Sequence, residues 1–328
     1  MTAEQRPSGP AGPDATDVAV VIPTVGRSSV HRSVTSALAQ ERPPREVIVV
    51  FDGPESGTGA LELPDDDRVR VLATGRRGGA SAARALAIRS AQAPLIAFMD
   101  DDDVWLPAKL RVQVAEYERL RAPGVEPIVS CRTEVFDAAG KPRSASPRHV
   151  YRTGEDVGDY LFQRRDLIHT GYGFGSVTVL CSRALLERVP VRSDLRLHED
   201  WDWVLRASRS PGVVVSMLPD VLATYWEQAA AGSASRPPKG WDASRTWAEQ
   251  AGLSRTALGD FLLCVSAANA LAYGETRQAL KLAVRAARTA RPSLRGWATF
   301  AVQVALPGPV AAKAAGIAQT LRPTRVDA

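Results

Sequence analysis

Between Val18 and Met99 short apolar runs alternate with segments of helical period, and this rhythm restricts the fold more than any other feature of the chain. Val18 to Ile22 reads as a buried strand. A turn at Pro23, Thr24 and Gly26 then leads into Val30, Val34, Ala37 and Leu38 at helical spacing. A second apolar run, Glu46 to Phe51, stops at Asp52, Gly53 and Pro54. The cycle repeats through Val69 to Leu72, a helix beginning near Gly79 that carries Arg84 and Ile88, a strand from Leu95 to Met99, and a helix after Pro107. Strands apolar on both sides need cover on both sides, so the pattern predicts an α/β fold with a mostly parallel central sheet between helices. Ligands of such sheets collect at the carboxyl ends of the strands. Three features fall there: Pro23–Thr24, Asp52–Gly53, and the four aspartates Asp100 to Asp103.

Beyond this the pattern loosens. A Pro- and Ser-rich stretch, Lys141 to Pro147, reads as a loop. Gly171, Gly173 and Gly175 precede a strand at Ser176 to Cys181; a helix opens at His198-Glu199-Asp200-Trp201-Asp202-Trp203; two short strands, Val213 to Met217 and Val221 to Trp226, close this half. Residues 1–16 read as a disordered leader, since no apolar core follows their single arginine as a signal peptide requires. Residues 229–240 (AAAGSASRPPKG spans Ala229 to Gly240) read as a linker, and 241–328 as a basic region of two or three helices.

Hydrophobic residues at 45% and charged residues at 23% exclude a fibrous, largely disordered or disulfide-scaffold protein. Cys131, Cys181 and Cys264 are widely spaced and read as small buried side chains in a reducing cytoplasm. The net charge of +5 comes from the end of the chain, where Trp241 to Ala328 hold eleven Lys/Arg against five Asp/Glu. No apolar run approaches the roughly 18 residues of a membrane span. The nearest, Trp297 to Leu306, is stopped by Pro307 and Pro309.

Four carboxylates at the end of a buried strand repel one another, and a hard divalent cation relieves that repulsion. Extended backbone would turn Asp100 and Asp102 to one face. The same run also reads as a solvated acidic loop capping the helix near Trp105 to Pro107. Arg84 follows Gly78-Gly79 by about one turn and can reach an anion at the helix N-terminus, or can be an ordinary surface arginine. Asp52 can accept from a base or ribose, or simply form the turn before Gly53 and Pro54. Among Trp201 and Trp203, the carboxylates Glu199, Asp200 and Asp202 either gain a raised pKa suited to general base work or serve as the charged first turn of an amphipathic helix. His198 alone adds little to either reading.

In combination and in order, VAVVIPTVGR, EVIVVFDGP, GGASAARALAI, IAFMDDDDVWLPAKL and HEDWDWVLR resemble the inverting glycosyltransferases of family 2, which have the Rossmann-like GT-A fold. The resemblance runs from about Asp17 to Trp226. It implies a GT-A unit at 17–228, with a nucleotide-sugar-binding half at 17–105 and an acceptor half at 106–228, followed by the small helical region. It implies Mn²⁺ or Mg²⁺ held by Asp102 and Asp100, with Asp102 the direct ligand and Asp103 a helper. Pro23, Thr24, Asp52, Arg84, Asp100 and Asp101 would then meet the nucleotide sugar, Asp52 at the base and Arg84 near the diphosphate. Asp200 would be the catalytic base, with Glu199, Trp201 and Gly175 on the acceptor side.

The implied reaction moves a sugar from a nucleotide donor to a hydroxyl of a glycan, a lipid-linked intermediate or a small molecule, in cell-envelope polysaccharide or glycoconjugate synthesis. Two other readings are a nucleotidyltransferase of similar fold and a non-catalytic membrane-surface protein. Three positions depart from the family pattern: Phe51 where the second strand commonly ends in an acidic or polar residue, and Ala85 and Ala87 where asparagine and glycine are frequent.

Arg277, Lys281, Arg285 and Arg288 form a basic stripe and Leu280, Val284 and Ala287 an apolar one, the pattern of an amphipathic helix. It fits packing on the α/β unit, peripheral contact with the inner face of an anionic membrane, or contact between copies. No recognition motif accompanies the charge, so nucleic acid is not an expected partner.

Overall fold

The computed structural model describes residues 16–137, 140–167, 173–226 and 240–305. The α/β unit runs β1 (Thr16–Thr24), α1 (Val30–Leu38), β2 (Pro44–Phe51), β3 (Val69–Ala73), α2 (Ala80–Ser90), β4 (Leu95–Phe98), β5 (Val104–Trp105) and α3 (Lys109–Leu120). It continues with β6 (Glu126–Phe136), β7 (Pro142–Ser146), α4 (Val157–Phe162), β8 (Leu180–Ser182), α5 (Arg183–Arg188), α6 (Glu199–Ser208) and β9 (Val213–Trp226). All nine strands join one sheet in the order β3-β2-β1-β4-β8-β6-β9-β5, with β7 added on β6.

The expected parallel arrangement holds from β3 to β4, where Val20 pairs with Val47 on one side and Ala97 on the other. From β8 onward the sheet is mixed. β8 runs antiparallel to both β4 and β6, while β6 and β9 are parallel. Being antiparallel, β8 starts where β4 ends, so the preceding 3₁₀ turn, Ser176–Thr178, lies at the sheet edge that carries the aspartates.

Period-2 geometry explains the continuous apolar runs. Val18, Val20 and Ile22 join Val30, Val34 and Leu110 in a core on one side, whereas Ala19 and Val21 join Ala83, Ile88 and Val204 on the other. Four expectations need correction. Ser176 to Cys181 is a 3₁₀ turn followed by a short strand. Val213 to Trp226 is one strand with a shifted register, and not two. The presumed loop at Lys141 to Pro147 holds β7. The sequence reading passed over β6 altogether.

The helical region comprises α7 (Gly240–Gln250), α8 (Arg255–Phe261), a π-helical turn at Leu262–Ser266, α9 (Ala267–Ala272), α10 (Thr276–Thr289) and α11 (Leu294–Ala305), more helices than the two or three expected. It is fused to the α/β unit: Trp247, Ala248, Ala257 and Phe261 share the core of α2, α4 and α6. Cys131, Cys181 and Cys264 are buried thiols, as expected. No described helix is long and apolar enough to cross a membrane. Thr16 and Gly240, at the ends of the expected leader and linker, already belong to β1 and α7; the rest of both, and the end of the chain, lie outside the described residues.

Candidate active site

The four aspartates follow β4 in a turn closed by the Asp103 N–H donating to Asp100 O at 3.3 Å. The turn replaces the extended alternation expected for Asp100 and Asp102 and gives each carboxylate its own surroundings. Asp101 is buried and locked: Thr24 Oγ1 donates to its Oδ2 at 2.7 Å, and Arg27 Nη1 to its Oδ1 at 2.8 Å. Thr24 is fixed in turn because its carbonyl accepts from the Asp52 N–H at 2.7 Å, while Pro23 is buried in register with Val50. The expected donor-side residues Pro23, Thr24 and Asp101 thus form the rigid floor of the edge.

Asp102 accepts from Arg27 Nη1 at 3.3 Å, and its carbonyl accepts from Arg32 Nη2 at 3.0 Å. Burial and the charges of Asp100 and Asp101 push its carboxyl up to about 6, against the pull of Arg27. Asp103 is buried with both carboxyl oxygens lacking a hydrogen bond of good geometry. Burial, Asp100 and Asp102 raise its pKa well above the usual range, which the backbone of Trp226 only partly offsets.

Asp52 accepts from the loop that precedes α2. Its Oδ1 accepts from the Gly78 N–H at 2.7 Å and Thr74 Oγ1 at 3.1 Å, and its Oδ2 from the Gly79 N–H at 2.9 Å. The carboxylate therefore clamps the glycine loop that starts α2. Gly79 sits at φ +85°, a conformation that favours glycine. The ring of Phe51 lies under Gly53 and Gly57, where a Cβ at either glycine would collide with it.

Arg84 lies in the cleft between the two halves of the unit. Its Nη2 donates to Asp100 Oδ1 at 2.7 Å and its Nη1 to Glu199 Oε1 at 3.1 Å. Burial works against its charge, yet Asp100, Glu199 and Asp200 outweigh that effect and raise its pKa. Glu199, expected on the acceptor side, thus faces the donor half.

Asp200 follows it in the first turn of α6 and accepts from the Trp201 N–H at 2.8 Å. Burial, then the Glu199 charge, lifts its carboxyl to about 7, opposed by the Trp201 N–H and Arg84. Arg84, Glu199 and Asp200 line one narrow cleft, with a cavity of about 20 Å³, together with Phe98, Phe174 and Ser176. Phe174 and His198 flank it at φ 62° and 64°, uncommon for residues with a Cβ and typical of functional edges. Gly175 leaves open space where a Cβ would stand.

Trp201 packs away from the cleft. One residue on from Asp200, it turns away by helical geometry and stacks on His198 at 5.0 Å, with Phe162, Trp247 and Phe261 around it. His198 Nε2 lies 2.7 Å from Ser244 Oγ on α7, and burial lowers its pKa to about 4. Asp202 accepts from Trp247 Nε1 at 3.1 Å and from Arg206 Nε at 2.7 Å. The first turn of α6 is thereby moored to the helical region. The sequence reading missed Arg27 and Arg32, although Arg27 directly follows the β1 turn at the edge that bears the aspartates; it also missed the moorings at Ser244 and Trp247.

The profile of glycosyl transferase family 2 matches residues 19–185, about half of the chain. The chain belongs to this family. Among relatives of this family 2 chain, the succinoglycan biosynthesis protein ExoO of Rhizobium meliloti is 31% identical over 203 residues, 61% of this chain and 57% of that one. The UDP-Glc:alpha-D-GlcNAc-diphosphoundecaprenol beta-1,3-glucosyltransferase WfgD of Escherichia coli is 30% identical over 100 residues, 30% of this chain and 40% of that one. The chain therefore spans about half the length of these relatives. In three dimensions it resembles S. aureus TarS 1–349 solved in complex with UDP-GlcNAc, with a TM-score of 0.52 and 16% identity over 82% of this chain and 79% of that one. The fold of this family 2 chain is GT-A, with helices added after β9.

Mg²⁺ or Mn²⁺ suits these oxygen donors. Among the described residues no three ligating side chains converge on one point. Were such a cation to bind, Asp102 and Asp100 are the carboxylates that would hold it, with diphosphate oxygens and water completing a donor set that Mg²⁺ accepts.

Proposed function

We propose that the chain is a metal-dependent, inverting glycosyltransferase that moves a sugar from a nucleotide donor to a hydroxyl on a glycan, a lipid-linked intermediate or a small molecule in cell-envelope polysaccharide or glycoconjugate synthesis. The observation that carries this reading is the placing of Asp200, a carboxyl near neutrality, in the same cleft as Arg84, which is bound to the acidic turn. The UDP-Glc donor of WfgD and the UDP-GlcNAc bound to TarS support a UDP-sugar donor, and WfgD and ExoO support a glycan or lipid-linked acceptor.

In this reading Asp200 takes the proton of the acceptor hydroxyl as its oxygen attacks the anomeric carbon from the face opposite the diphosphate, and one displacement inverts that centre. Arg84 holds Asp100 and Glu199 in place and presents positive charge to the departing diphosphate. A bound cation would neutralise charge on the leaving oxygens. Asp52 keeps Gly78 and Gly79 in the shape that starts α2, and so sets where Arg84 stands. The enzyme works in the cytoplasm, with peripheral contact to the inner face of a membrane; the buried free thiols accord with a reducing compartment.

The test is turnover across a donor panel with and without Mn²⁺ or Mg²⁺, together with Asp102→Asn and Asp200→Asn. Each variant should lose about 10²-fold or more with a melting temperature no lower than that of wild type. Activity retained by Asp200→Asn overturns the base assignment, and pyrophosphate as the product points instead to nucleotidyl transfer.

A further inference from the structure

The α10 helix carries two apolar stripes. Ala279, Leu282, Ala283 and Ala286 are buried in the helical core, with α9 and the π-helical turn as neighbours. Leu280 and Val284 are 49% and 50% exposed, and Ala287 is exposed beside them. The stripe that the sequence suggests for packing therefore faces outward; the alanines let α10 approach its neighbours closely and take the inner side instead.

Arg277, Lys281 and Arg288 share this outer face, since helical geometry sets them next to Leu280 and Val284. They have no ion-pair partner among the described residues. Arg285, at the border, turns to Glu249 on α7. From Thr276 to Val326 the sequence has nine Lys/Arg and no Asp/Glu.

We propose that this outer face of α10 docks in plane on an anionic lipid bilayer, with Leu280 and Val284 entering the headgroup–acyl boundary and Arg277, Lys281 and Arg288 on lipid phosphates. Charge selects this occupant. A second copy meeting the face symmetrically would set arginine against arginine. The segment 306–328 carries Lys313, Arg322 and Arg325 against Asp327 alone and is repelled in the same way. A nucleic acid would satisfy the cations but leave Leu280 and Val284 without purpose. The inference deepens the peripheral-membrane part of the proposed function and rests on it, but is independent of the catalytic assignments.

The experiment is co-sedimentation of the full chain with vesicles of phosphatidylcholine, alone or mixed with phosphatidylglycerol. Binding should require phosphatidylglycerol and weaken with salt. Each basic residue near such a surface is worth roughly fivefold in partitioning, so Arg277→Gln/Lys281→Gln/Arg288→Gln should lower it on the order of a hundredfold. Leu280→Ser/Val284→Ser should lower it roughly tenfold, with the melting temperature unchanged in both variants. Wild-type binding that neither variant weakens overturns this face and leaves the membrane reading standing. Absence of wild-type binding to both vesicles overturns the membrane reading itself. A dimer in solution that Leu280→Ser/Val284→Ser dissociates, or DNA binding stronger than vesicle binding, assigns the face to another partner and overturns the proposal.

Discussion

Arg84 Nη1 donates to Glu199 Oε1 at 3.1 Å across 115 positions of sequence, and so ties α2 in the donor half to the first turn of α6. Its other terminal nitrogen holds Asp100 at 2.7 Å. One guanidinium thus fixes the spacing between the acidic turn and Asp200. Such a group is costly to remove, because its two carboxylates stay behind without a counter-charge. Arg84→Ala should destabilise the fold by about 2–3 kcal/mol, below the usual cost of breaking a fully buried pair because Asp100 is partly solvated. Urea midpoints measure it. Arg84→Lys should recover less than half of that, since one ammonium cannot present two divergent donors in fixed geometry.

Glu199 also acts on its neighbour. Its negative charge is the second cause, after burial, of the raised Asp200 pKa. Glu199→Gln keeps the shape and removes the charge, so the acid limb of kcat/KM should move to lower pH than in wild type. A limb that stays in place would show that Asp200 is not the group titrating there.

The residues that were legible in the sequence are those whose surroundings are set by their own element. Val18 to Ile22 announces a strand because both faces of β1 are buried, and Asp100 to Asp103 falls at the sheet edge because β4 ends before it. Strand β6 stayed hidden because Arg132 and Glu134 interrupt its apolar run, and β7, with the sequence PRSAS, has no apolar signal of its own; its pairing with β6 makes it a strand. The contacts of Asp52 and Trp201 were hidden for a different reason. Their partners are the N–H groups of Gly78 and Gly79 and the rings of Trp247 and Phe261, remote in sequence and brought near only by the fold.

Ser244 tests the mooring of α6. Its hydroxyl is the polar partner of the His198 ring, so Ser244→Ala should cost about 1 kcal/mol in stability. Because His198 immediately precedes Glu199 and Asp200, the variant should also lower kcat more than it raises KM. A loss of stability alone, with kcat intact, would make the contact purely structural.

Asp200 and His198 oppose each other in the pH dependence of stability. The Asp200 carboxyl holds its proton to about 7 when folded, against 3.8 for an ordinary aspartate. Between those limits the folded state binds more protons than the unfolded one, so this group's contribution is present at low pH and lost as pH rises through about 7. His198 is lowered from 6.5 to about 4, so from 6.5 downward the unfolded state binds more protons; its contribution is present at neutral pH and lost as pH falls toward 4. Over the shared range the two slopes partly cancel. Asp200→Asn should therefore be more stable than wild type at pH 8, gain nothing at pH 4, and show a steeper fall in stability on acidification from pH 6.5. His198→Gln should show the converse, a curve that no longer falls over that range. Urea titrations at pH 4, 6 and 8 measure both, and parallel curves for wild type and Asp200→Asn would show that this carboxyl titrates alike in the folded and unfolded chains.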